Sequence, residues 1–164
     1  MKAENTNEMN GRKWSKEEVG RIKNIIVESF RGLMELGPES RLRWTGTQCD
    51  LVELAHLVWE TGKLRDERGM PMGFRDIVER ICGTLHCKPP KNPSTVIVRI
   101  RERKNIRVCS VVERYLYLLF FQSIRSPMLL DIRSGEQVGT PAVLMERMTK
   151  RNTRQKASLP HHYQ

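Results

Sequence analysis

Asn92–Arg107 reads NPSTVIVRIRERKNIR, and whether this stretch coils or extends decides the fold of the chain. Asn92 before Pro93 is a helix opening, because asparagine caps free amides and proline is tolerated at the first helical position. The residues that follow argue the other way. Val96, Val98 and Ile100 alternate with Ile97, Arg99 and Arg101, and three successive β-branched residues favour a strand. In a helix, Val96, Ile97 and Ile100 would face the core while Thr95 and Arg99 point outward. In a strand, Arg99, Arg101 and Arg103 would share one exposed face. Pattern alone leaves the stretch undecided, and either geometry displays arginines.

The charge of the chain gathers on the same stretch. Its 164 residues carry 29 Lys and Arg against 19 Asp and Glu, a net charge of +10. Met1–Cys87 holds 14 of each sign. Lys88–Arg107 then holds seven basic residues against the single acid Glu102, Val108–Gln122 is balanced, and Ser123–Gln164 holds seven basic residues against three acidic ones. A merely solvating charge is interleaved with acids, whereas a charge that meets a polyanion is concentrated. Nucleic acid is the first partner to consider. Duplex DNA is favoured over single strands because no aromatic platform for unstacked bases accompanies the arginines.

Helical signals surround the basic stretch. Ser15 with Glu18 forms a capping box, and Val19, Ile22, Ile26, Phe30 and Leu33 recur at helical spacing, so a helix is expected from about Lys16 to Leu36, ended by Gly37 and Pro38. Thr47 with Asp50 repeats the cap ahead of Leu51, Leu54, Ala55 and Val58, and Gly62 terminates that helix. Lys63–Met72, bending at Arg68 and Gly69, is a small hairpin or a loop. Phe74, Ile77, Val78, Ile81 and Leu85 mark a third helix, closed before Pro89 and Pro90. Ser110 with Glu113 opens a last helix, Val111–Phe121, apolar almost all round and so the buried spine of the domain or a subunit contact. Beyond Ser126, the breakers Pro127, Gly135, Gly139, Pro141 and Pro160 imply a mobile basic tail. The expected fold class is mainly α, with at most a short hairpin. Three regions follow: 1–40, an N-terminal helix and linker; 41–122, the DNA-binding domain; and 123–164, a basic, flexible C-terminal tail.

Other function classes find little support. The longest uncharged apolar run, Tyr115–Phe121, falls far short of the ~20 residues a membrane span needs. Met1–Lys13 lacks the apolar segment of a secretory signal, so a cytoplasmic location is expected. Cys49, Cys82, Cys87 and Cys109 then read as small buried hydrophobes rather than disulfides. Cys82, His86 and Cys87 do not match zinc-ligand spacing, and no metal or cofactor is expected. Cys49 beside Asp50, His56 on a core helix, and His161 and His162 in the tail form no catalytic constellation. The expectation is a binding protein, not an enzyme, with no small-molecule substrate.

Arg43-Trp44-Thr45-Gly46-Thr47, then Asp50-Leu51-Val52-Glu53-Leu54, then Gly62, and later Ile100-Arg101 with Arg103-Lys104-Asn105 and Arg107, resemble the core of the RteC family, regulators encoded on conjugative transposons of Bacteroides-type bacteria. The resemblance spans about Leu42 to Gln122 and rests on the order and spacing of these pieces. It implies a helix-turn-helix domain of winged-helix type that binds a promoter repeat and activates excision genes, and it favours the helix over the strand for Asn92–Arg107. A single helix precedes the shared region, where family members carry a larger helical domain. Lys63–Met72 would be the wing or an exposed loop.

A recognition helix offers its N-terminal half and one outer face to the major groove, with cations at its flanks. On that plan Ser94 and Thr95 donate to phosphate or base edges, Arg99 makes paired hydrogen bonds to guanine, and Arg101, Arg103, Lys104 and Arg107 clamp phosphates. Thr45, ahead of a helix N-terminus, is a lesser candidate. Palindromic sites would make a homodimer natural. The competing expectation is a helical protein-interaction module in which Val111–Phe121 docks on a partner and the arginines only solvate.

Overall fold

The computed structural model describes residues 13–104 and 110–134, and it is mainly helical. Helix α1 (Lys16–Leu36) opens with the expected reciprocal cap: the Ser15 hydroxyl accepts from the Glu18 amide at 3.0 Å, and the Glu18 carboxylate accepts from the Ser15 amide at 2.9 Å. It ends at Gly37, whose φ of 74° belongs to the left-handed region that glycine enters without a Cβ clash. A short turn leads to strand β1 (Leu42–Trp44) and helix α2 (Gln48–Thr61), which is capped by the Thr47 hydroxyl and closed by Gly62 at φ 66°.

Lys63–Gly73 forms a hairpin-like bend. The Asp66 amide donates to the Met70 carbonyl at 2.8 Å and the Met72 amide to the Leu64 carbonyl at 2.9 Å, while the Asp66 carboxylate accepts from the amides of Arg68 and Met70. Helix α3 (Phe74–Thr84) follows. The undecided stretch is helical, as α4 (Pro93–Lys104), with Val96, Ile97 and Ile100 buried. Burying three such side chains stabilises the fold by about 1.5–3 kcal/mol each, enough to override their strand preference. Helix α5 (Val111–Phe121) opens on the Ser110 hydroxyl, which accepts from the Glu113 amide.

Two expectations about the chain's organisation are corrected. The tail does not begin at residue 123. Pro127–Asp131 forms a 3-10 turn with Pro127, Met128 and Leu129 buried, and Ile132–Ser134 forms strand β2, antiparallel to β1 with Trp44 opposite Ile132. Proline opens that turn rather than breaking the chain, because the first helical positions need no amide. The remainder of the expected tail, 135–164, lies outside the described residues. Nor does residue 41 start a separate unit, since Ile22, Ile26, Phe30 and Leu33 of α1 lie in one core with Leu51, Ile81, Tyr115 and Ile132.

A polar joint holds the returning segment. Arg114 of α5 reaches the carboxylates of Asp50 at 3.3 Å and Asp131 at 3.4 Å, and the buried Tyr115 hydroxyl donates to Asp131 at 2.6 Å. Burial first, and then the adjoining Asp131 carboxylate, hold the Tyr115 hydroxyl well above its ordinary ionisation range. No helix among the described residues is long and apolar enough to cross a membrane.

The joint yields a pH signature. An unfolded tyrosine ionises near pH ~10 while folded Tyr115 keeps its proton, so its contribution to stability is complete below that pH and declines above it, by up to about 1.4 kcal/mol per unit. Tyr115→Phe should cost about 1.5–3 kcal/mol near neutrality, the worth of a hydrogen bond to a charged acceptor. Urea titrations at about pH 8 and about pH 11 should show the gap between wild type and variant narrowing. A gap that stays constant would contradict the assignment.

Candidate nucleic-acid interface

Helix α4 is held by a narrow apolar stripe and turns the rest of its surface to solvent. Pro93, Val96, Ile97 and Ile100 are buried, and Ser94, Thr95, Val98, Arg99, Arg101, Glu102 and Arg103 are exposed. The inner and outer sets agree with the helical alternative read from the sequence. Among the described residues, no carboxylate forms an ion pair with Arg99, Arg101 or Arg103.

The helix nevertheless divides these cations. At about 100° per residue, Thr95, Arg99 and Arg103 fall in one stripe roughly 80° wide. Arg101 and Ser94 lie on the other flank, with Arg101 about 160° from Arg99, and Val98 and Glu102 stand on the ridge between. The row of Arg99, Arg101 and Arg103 on one face, which a strand would have produced, does not exist. Lys104 closes α4, and Arg107 lies outside the described residues.

The Arg101 flank adjoins an aromatic cluster. His56 and Trp59 of α2 and Phe74 of α3 meet with ring centroids 5.2–5.8 Å apart, and Trp59 remains 42% exposed. The His56 Nδ1 atom lies 3.8 Å from a Glu60 carboxylate oxygen. Burial lowers the His56 pKa from 6.5, the Glu60 carboxylate opposes that, and the Arg101 guanidinium lowers it further.

Thr45 is exposed, and its backbone amide donates to the Asp131 carbonyl at 2.8 Å, which leaves only its side chain to meet a ligand. Its neighbour Trp44 spends its indole N–H on the Thr47 carbonyl, 2.7 Å away. Sequence reading missed a second cationic spot beside it. The β1–β2 register sets Arg43 opposite Arg133, both exposed, with no ion-pair partner among the described residues. Like charges facing across a ribbon are unfavourable. No local signal joins two residues so distant in the chain; only the strand register does.

Among the described residues, no three His, Cys, Asp or Glu side chains gather closely enough to hold a metal ion. Comparison with family models, curated proteins and solved structures returns no match to this chain.

The placement of Arg101 is open to a direct test. In NMR titrations the His56 midpoint should lie below 6.5, rise in Arg101→Gln and fall further in Glu60→Gln. A midpoint unmoved by Arg101→Gln would put the guanidinium elsewhere.

Proposed function

We propose that this chain is a sequence-specific duplex-DNA-binding regulator of the kind the RteC resemblance implies, serving excision or transfer genes of a mobile element. The DNA-binding unit is a helix-turn-helix built from α3 and α4, with α4 as the recognition helix. The observation that carries this reading is the unneutralised outer surface of α4: a helix anchored on one stripe, bearing three exposed arginines that no carboxylate among the described residues pairs.

The division of those arginines suits a groove. A helix lying in the major groove has a phosphate chain along each flank and base edges beneath its outer ridge. Arg103 on one flank and Arg101 on the other then serve opposite strands. Thr95 and Ser94, near the N-terminus, donate to phosphate, and Arg99 reaches guanine with two parallel hydrogen bonds. Val98, 52% exposed on the ridge, suits a thymine methyl, and Glu102 suits the amino group of cytosine. The connection from α3 to α4 is longer than the three or four residues of a tight helix-turn-helix turn, and it carries the exposed cations Lys88 and Lys91.

The competing interaction-module reading draws on one feature, the aromatic end of α5. There Phe121 is 55% exposed and in ring contact with Trp14 and Tyr117. That surface is distinct from the α4 arginines and is compatible with a homodimer on a repeated site.

Mobility-shift assays separate the two. If four to six phosphates are engaged, log affinity should fall against log salt with a slope of about −4 to −5. Arg103→Ala should weaken binding to all sequences alike and flatten that slope by about 1, whereas Arg99→Ala should cost about 1–3 kcal/mol and relax preference at one base pair. Replacing Arg99, Arg101 and Arg103 together by alanine should abolish retardation while the circular dichroism stays that of wild type. A folded triple variant that still retards promoter DNA would overturn the reading.

A further inference from the structure

The end of α3 places two thiols against each other. The helix closes through a pair of hydrogen bonds in which the Cys87 amide donates to the Cys82 carbonyl at 2.9 Å and the His86 amide to the Gly83 carbonyl at 3.4 Å. His86 takes the left-handed conformation that this closure requires, φ 54°. In this motif the first and sixth residues bring their side chains together, ordinarily as an apolar contact. Here both are cysteines. The two sulfurs lie near enough to influence each other's ionisation, and the Cys87 thiol donates to the Lys88 carbonyl at 3.9 Å. Cys82 is buried and Cys87 half-buried, so one sulfur is reachable from solvent and the other waits behind it. The turn is anchored from outside, since His86 Nδ1 sits 2.7 Å from the Leu42 carbonyl and the Gln48 side-chain amide donates to the Lys88 carbonyl.

We propose that Cys82 and Cys87 form a peroxide-driven, reversible disulfide that cross-links the end of α3 to the start of the connection leading into α4. The inference does not depend on what α4 binds. Cys87, the accessible sulfur, attacks one oxygen of hydrogen peroxide as its thiolate; the S–O bond forms, the O–O bond breaks, and the departing oxygen leaves as water after taking up the thiol proton. Cys82 then attacks the Cys87 sulfenic sulfur; the S–S bond forms, the S–O bond breaks, and the Cys82 proton leaves with that oxygen as a second water. Two thiols are oxidised and one peroxide is reduced to two waters. A small thiol reverses the step by exchange. Burial pushes the Cys87 thiol up from its ordinary value, and the Cys82 S–H opposes that shift, while burial pushes Cys82 up to about 12. Cys87 is therefore the attacking sulfur and Cys82 the resolving one, and the rate should rise about tenfold per pH unit below the Cys87 pKa as its thiolate fraction grows.

The full chain, treated with hydrogen peroxide, unfolded, alkylated and digested with trypsin, provides the test. Both cysteines fall in the peptide Ile81–Lys91, because Lys88 precedes a proline. The expected product is that peptide unalkylated and lighter by two hydrogens, with both thiols returning on reduction. In Cys87→Ser, Cys82 should stay reduced at the same dose. The proposal fails if both cysteines of the treated wild type are alkylated, if Cys87 becomes a sulfinic acid beside a free Cys82, or if either sulfur is found bridged to Cys49, Cys109 or another chain.

Discussion

Helix α2 has too much apolar surface to face solvent anywhere except along one edge, and the other helices are arranged around that fact. Leu51, Val52, Leu54, Ala55, Leu57 and Val58 are buried, and at 100° per residue they cover an arc of about 220°. One neighbour cannot cover so wide an arc. Helices α1, α3, α4 and α5 all pack on α2, each supplying a share. For α4 that share is narrow: Val96, Ile97 and Ile100 span only about 100°. The contrast explains the candidate interface. A helix that gives so little of its surface to the core leaves most of its circumference for something else, and there the sequence puts three arginines, a serine and a threonine.

The second constraint is closure at the far end of the chain. Strand β1 would be an isolated three-residue segment without β2, and β2 is held by the 3-10 turn whose Asp131 receives Arg114 and Tyr115. Tyr115 must bury a hydroxyl, which is unfavourable unless it is bonded. Asp131 answers it, and Arg114 balances the carboxylate while reaching Asp50 at the N-terminal end of α2. Two elements remote in sequence are thereby joined to the central helix. The exposed Arg43 and Arg133 are brought face to face as a consequence, and solvent screening makes that repulsion tolerable.

How much of this could be read beforehand follows from how local each determinant is. The ends of α1 and α2 were legible because caps and glycine stops act over a few residues: Ser15, Glu18, Gly37, Thr47 and Gly62 stand where the structure uses them. The state of Val96–Ile100 was not legible from pattern, because β-branched side chains serve a strand and a buried helix stripe equally well; the uncovered flank of α2 decides, and that is tertiary. Pro127, Met128 and Leu129 show no period, so a short turn folding back into the core resembled a tail. The Cys82–Cys87 contact was hidden because it depends on left-handed backbone at a histidine, where glycine would have been the visible sign. Arg107 and 135–164 lie outside the described residues.

The helical outcome changes what the basic stretch can recognise in the proposed mode. An extended segment would have lined Arg99, Arg101 and Arg103 along one edge, a row matched to a single phosphate chain and indifferent to base sequence. Coiling the same residues moves Arg101 to one flank and Arg99 with Arg103 to the other, and leaves Val98 and Glu102 on the ridge between them. Two flanks of positive charge can straddle a groove, and in the proposed mode Val98 and Glu102 on the ridge, with Arg99 on the flank beside it, answer respectively to a thymine methyl, a cytosine amino group and a guanine edge. Of the β-branched residues that made the stretch ambiguous, Val96, Ile97 and Ile100 anchor the helix by their burial while Val98 stays on its outer ridge, and on the proposed reading that division turns a row of charge into a surface able to read sequence.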